Sequence, residues 1–133
     1  MKRNLFLAIA LLLSGAANAA TDHYLLRDGN HVQHLKISKT GDEITISEDV
    51  NFEPNATETG KHACNADVSG EAKLTADNEY VMKKHIEGEA RACTLKIRLS
   101  GNGAKVEQSE DCNYFAAGIC RFATDGKDLQ KIQ

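Results

Sequence analysis

The segment Cys93-Thr94-Leu95-Lys96-Ile97-Arg98-Leu99-Ser100-Gly101-Asn102-Gly103-Ala104-Lys105-Val106-Glu107-Gln108-Ser109-Glu110-Asp111-Cys112 decides how this chain is read. Cys93, Leu95, Ile97 and Leu99 alternate with Thr94, Lys96 and Arg98, the pattern of a strand with one apolar and one wet face. Asn102-Gly103 is a strong hairpin signal, because a tight type I′ turn needs positive φ at both central residues. Folding about that dipeptide sets Gly101 opposite Ala104, Leu99 opposite Val106 and Arg98 opposite Glu107. It also brings Cys93 opposite Cys112, with both cysteines on the apolar face. A Cys93–Cys112 bridge closes a loop of about 20 residues and contributes roughly 3 kcal/mol by chain entropy. An ideal two-residue turn makes this a hydrogen-bonded pair with the wider Cα spacing, a parity that a bulge near Gly101 would change.

The chain has four cysteines. An even count in a small domain fits an oxidising compartment and two disulfides. If the hairpin joins Cys93 to Cys112, Cys64 is left with Cys120, a loop of nearly 60 residues worth about 4 kcal/mol. The rival pairing is Cys64–Cys93 with Cys112–Cys120. No Cys-x-x-Cys spacing is present, so neither a metal site nor a cofactor is expected.

The first residues read as an export leader. Lys2 and Arg3 are a basic start, Leu5 to Leu13 a short apolar core, and Ala17-Asn18-Ala19 a small-x-small cleavage site. Residues 1–19 are therefore expected to be removed, leaving 20–133 as a single β domain. The apolar run is too short to span a bilayer comfortably, so no stable membrane anchor is expected. No cysteine near the cleavage point offers a lipid attachment. A short leader of this kind points to a bacterial periplasmic or secreted protein.

Loss of Lys2 and Arg3 leaves 14 basic against 19 acidic residues and takes the formal charge from −3 to −5. A mildly acidic chain with no Lys/Arg cluster argues against nucleic acid as partner and is compatible with a basic protein. Tryptophan is absent and aromatics are 5% of residues, so the core must come from Leu, Ile, Val and Ala.

Turn chemistry organises the rest. His23 to Arg27, His31 to Ser38 and Glu43 to Ser47 form a three-stranded meander about Asp28-Gly29 and Lys39-Thr40-Gly41-Asp42. Glu48 to Lys61 is polar, holds the only proline and reads as a surface loop. Its Asn55-Ala56-Thr57 matches a glycosylation acceptor, with no meaning in a bacterial export. His62 to Thr75 and Glu79 to Ile86 are extended about Ala76-Asp77-Asn78, although the composition of 71–85 would also suit a helix. Gly88 permits a bend. Asn113 to Phe122 closes the core with Tyr114, Phe115, Ile119 and Phe122. Asp125 to Gln133 is polar and expected to fray, with Leu129 and Ile132 able to dock. Seven to eight short strands joined by such turns predict an all-β fold, a small antiparallel β-sandwich or barrel with two disulfides.

Catalytic motifs are lacking. There is no Gly-x-Ser-x-Gly elbow and no phosphate cradle. His31 and His34 lie three apart on a strand and point to opposite faces; His23, His31, His34, His62 and His85 read as surface histidines. Glu107, Glu110 and Asp111 cluster, and paired carboxylates can cleave glycosides, but a solvated acidic face is the commoner arrangement. The stretch through Asp111-Cys112-Asn113-Tyr114-Phe115 is instead read as a contact patch, with Glu110, Asp111, Tyr114 and Phe115 as partner-binding residues. Tyr beside acids is typical interface material. Because the two aromatics are adjacent, one of them is expected in the core.

The run from Cys93 through Leu99, a Gly turn, Asp111-Cys112, an aromatic pair and Cys120-Arg121-Phe122 resembles small bacterial periplasmic proteins grouped with lysozyme inhibitors, over roughly residues 64–123. The Ser-Gly-x-Gly-x-x-Tyr signature of the membrane-bound c-type inhibitors is not present, so their active-site-plugging loop is not carried over. Exported immunity proteins against cell-wall effectors are similar at this level. The resemblance implies a non-enzymatic module that occludes a basic cell-wall hydrolase or effector. A small-ligand or envelope-stress binding protein is the alternative.

Overall fold

A computed structural model describes residues 19–57, 60, 62–116 and 118–133. The proposed leader, apart from Ala19, lies outside the described residues. Eight strands form a closed antiparallel barrel. They are β1 (Ala19–Asp28), β2 (His31–Thr40), β3 (Glu43–Phe52), β4 (Cys64–Ala76), β5 (Glu79–His85), β6 (Ala92–Ser100), β7 (Gly103–Gln108) and β8 (Leu129–Lys131). Each strand pairs with its neighbour in sequence, and β8 joins β7 to β1. Two 3₁₀ turns, Glu110–Tyr114 and Gly118–Cys120, lie between β7 and β8.

The hairpin about residues 101–103 forms, but one residue earlier than expected. Ser100 pairs with Gly103, so Gly101-Asn102 is the turn. Gly101 has φ +58° and Asn102 is not among the residues of positive φ. That pattern belongs to a turn with glycine at its first central position, not to the type I′ expected of Asn-Gly. The first hairpin slips by one residue in the opposite direction: Asp28 pairs with His31, making Gly29-Asn30 the turn in place of Asp28-Gly29. Moving a turn by one residue slides the partners by two, and a slide of two keeps every side chain on its face. Inside and outside therefore agree with the alternation, while the facing pairs differ from those counted out. Arg98 stands opposite Lys105 instead of Glu107, and reaches Glu107 only diagonally, at 3.8 Å.

The apolar faces meet inside the barrel. Leu35, Ile46, Met82, Leu95, Ile97, Phe122 and Leu129 are all fully buried. The two-residue period of β6 sends Cys93, Leu95 and Ile97 inward. On β4 the inward position between Val68 and Ala72 is Gly70, where an added Cβ would lie 3.1 Å from Met82 Sδ and 3.2 Å from the Lys83 carbonyl oxygen. The Met82 side chain occupies the space that the glycine leaves.

Both disulfides of the hairpin-based pairing are present, Cys93–Cys112 and Cys64–Cys120, with Cα separations of 4.3 and 6.2 Å. Cys112 is not on a strand. It sits in the first 3₁₀ turn and reaches back to β6.

Residues 71–85 are strand and turn, as their alternation implies, and not the helix that their composition would also suit. Three other expectations need correction. Glu48–Phe52 is strand, not loop, because Glu48, Val50 and Phe52 continue the inward series begun by Ile46. Ile119 is 41% exposed and does not join the core. The last segment supplies β8, through which the Leu129 side chain docks while Ile132 stays exposed.

Candidate functional site

The expected contact residues fall on the turn that follows β7. Ser109 is extended, with φ −78° and ψ 164°, and ends the strand. Its amide donates to the Thr94 carbonyl at 2.9 Å, and its Oγ accepts from the Thr94 amide at 3.0 Å. The chain then tightens: the Cys112 amide donates to Ser109 O at 3.1 Å and the Phe115 amide to Cys112 O at 2.9 Å. The 93–112 disulfide pins the middle of this turn to β6. Backbone bonds and a covalent bond thus fix it from both sides.

That arrangement sorts the aromatics. Tyr114 is 62% exposed, whereas Phe115 packs against the core. Their rings meet edge-on, with centroids 5.3 Å apart, so the anchored Phe115 limits where Tyr114 can go. Glu110 is exposed. Asp111 faces Arg91 at 3.7 Å, and Arg91 also pairs with Glu89 at 2.7 Å. Beside the turn lies an open hollow of ≈ 410 Å³ lined by Gln108, Ser109, Glu110, Asn113 and Arg121. Glu110, Asp111, Tyr114 and Phe115 are therefore together, three of them facing solvent. Glu107 does not join them: its side chain is 60% exposed and pairs with Arg98.

Gln108 supports this region, and sequence reasoning passed over it. Its Oε1 accepts from the amides of Phe122 and Ala123 at 2.8 and 3.0 Å, tying the segment after the second 3₁₀ turn to the end of β7. A glutamine at the inward position after Ala104 and Val106 was the available signal.

A second concave region lies at the barrel end near the β1–β2 turn. It measures ≈ 270 Å³, and Asp28, His31, Gln33, Arg121 and Lys127 are among its lining residues. His31 Nε2 donates to the Ile119 carbonyl at 2.7 Å across its rim, and Lys127 pairs with Asp28 at 2.6 Å. Behind its floor sits a buried polar pair. Gln33 Nε2 donates to Glu48 Oε1 at 3.4 Å and to the Phe122 carbonyl at 3.0 Å. Glu48 Oε2 has no hydrogen-bond partner. Burial first, and the Asp49 charge second, hold the Glu48 carboxyl well above the usual carboxylate range.

On the outer face, His23 and His34 come together, with Nε2 of His23 2.9 Å from Nδ1 of His34. Among the described residues no group of three or more His, Cys, Asp or Glu side chains is placed to hold a metal ion. No helix of the described residues is long and apolar enough to cross a membrane. Comparison of the chain with protein-family models, with curated proteins and with solved structures finds no match.

Proposed function

We propose that this protein is an exported binding module that inhibits a basic cell-wall-degrading enzyme by occlusion. The observation that carries the reading is Tyr114, a large aromatic 62% exposed on a turn that a disulfide and backbone bonds hold rigid. Ordering a side chain on binding costs about 0.5–1.5 kcal/mol, and a pre-ordered turn avoids much of that cost. Glu110 and Asp111 supply negative charge beside it, which suits a positively charged cleft rim. The two disulfides fit an oxidising compartment, in keeping with export. The filled barrel interior favours surface recognition over an enclosed small-molecule cavity.

The test uses oxidised protein as bait against a panel of lysozymes and other wall hydrolases. Stoichiometric capture with loss of the hydrolase's activity, weakened by Tyr114→Ala and Asp111→Ala, is the expected result. Failure to capture or inhibit any wall hydrolase would overturn the reading.

A further inference from the structure

We propose that His23 and His34 form a two-imidazole site for a divalent transition metal on the outer face of the barrel. The argument starts from register. His23 stands opposite Lys36 and His34 opposite Leu25, so the histidines are diagonal neighbours on β1 and β2. Their rings lie 5.0 Å apart at centroids, tilted by 38°. The facing nitrogens, 2.9 Å apart, share one proton. A metal ion can take that proton's place. With metal–nitrogen bonds of about 2.0–2.1 Å, two tetrahedral ligands sit roughly 3.4 Å apart, so the rings need only part by about half an ångström. The ring that now donates moves its proton to its other nitrogen, and both rings then bind as neutral imidazoles.

The surroundings act in both directions. Lys36, directly opposite His23, disfavours a cation there. Asp49 stands directly opposite His34 on β3, with Asp67 opposite Asp49 on β4. Like charges facing each other across strands are unfavourable, and a cation beside Asp49 would offset that repulsion. With two protein ligands, water completes the coordination sphere. Imidazole ligands suit copper, nickel and zinc, and the general affinity order places Cu²⁺ above Zn²⁺.

The experiment titrates copper(II) chloride and zinc chloride separately into the oxidised protein, reads heat and stoichiometry, and records the copper electron paramagnetic resonance spectrum. One saturable equivalent, tighter for copper, with nitrogen hyperfine structure from two imidazoles, is the expected result. A direct ligand carries at least the roughly tenfold in affinity that outer-shell partners carry, so His23→Ala and His34→Ala should each weaken binding by that much or more. His62→Ala and His85→Ala should not change it. Binding by His34→Ala equal to wild type would place the metal on His23 alone and overturn the proposal, as would absence of saturable binding by the wild type. His34→Gln, which keeps a polar side chain on the outer face, separates ligand loss from any loss of folding seen by circular dichroism.

Discussion

Two side chains define the protein at the residue scale, one outside and one inside. Outside, Tyr114 presents its ring to solvent while Phe115 anchors it. Removing an exposed ring leaves the core intact, so Tyr114→Ala should change stability by no more than about 0.5 kcal/mol. If Tyr114 is the centre of the contact, the same change should cost about 2 kcal/mol or more of binding, roughly 30-fold in Kd. Titration calorimetry against the captured hydrolase checks both, paired with a thermal melt. Inside, Glu48 has a raised folded pKa. A carboxyl whose folded pKa lies above its unfolded value holds its proton more tightly when folded. Its contribution is fully present below about pH 4.3 and is lost as pH rises towards the folded pKa. His23, with a lowered folded pKa, acts in the opposite direction, losing stability as pH falls through about 6.5. The difference between wild type and Glu48→Gln isolates the buried acid. We expect the variant to lose the decline that begins above about pH 4.3 and to melt higher than wild type at about pH 8, by thermal melts across the range.

At the scale of elements, the hairpins show what the sequence discloses and what it hides. Gly101 is flanked by Asn102-Gly103, and Gly29 sits between Asp28 and Asn30, so each turn offers two candidate dipeptides. Both choices satisfy the alternation, because the slip moves partners by two. The cysteine pairing survived this ambiguity because Cys112 leaves the ladder altogether and reaches Cys93 from a 3₁₀ turn. The grouping of Glu110, Asp111, Tyr114 and Phe115 on one turn is legible because these residues are nearly contiguous. The His23–His34 contact could be counted out as well: a turn at Asp28-Gly29 sets the two histidines directly opposite each other, and the slide by two leaves them diagonal neighbours on the same face. From sequence β3 ends at Ser47, because Glu48 reads as the start of a polar loop, whereas the strand continues to Phe52 with Glu48 buried.

Two expectations belong at this scale. Gly70→Ala should destabilise the β4–β5 contact by about 1–3 kcal/mol, since the Lys83 carbonyl must shift by a few tenths of an ångström and Met82 must repack; denaturant unfolding measures it. Replacing Cys93 and Cys112 together by alanine should cost about 2–5 kcal/mol and should also weaken partner binding more than the Cys64/Cys120 double replacement, because only the former holds the contact turn. Chemical denaturation and calorimetry on both pairs give the comparison.

At the scale of the whole molecule, the barrel is an up-and-down meander that only the last strand completes. β8 has three residues, yet it bonds to both β7 and β1. Leu129 is its one buried side chain and is wholly enclosed. Leu129→Ala should cost about 2–5 kcal/mol, with amide exchange in β1 and β7 accelerating more than in β3 and β4. The sequence hid this strand because three residues with one apolar position show no period. The acidic surface gives a further whole-molecule expectation. Association with a basic hydrolase should slow as salt rises, since charges more than about 8 Å apart are screened at about 0.15 M.

That brief closing strand also governs the order of events in the life of the chain. Leu129–Lys131 is the last of the eight strands to be synthesised, so every nascent or shortened chain that lacks it carries two unpaired margins, on β1 and β7. Open margins of this kind recruit other chains. Closure of the barrel therefore waits until synthesis has passed Lys131, and any fragment that stops short keeps both margins open.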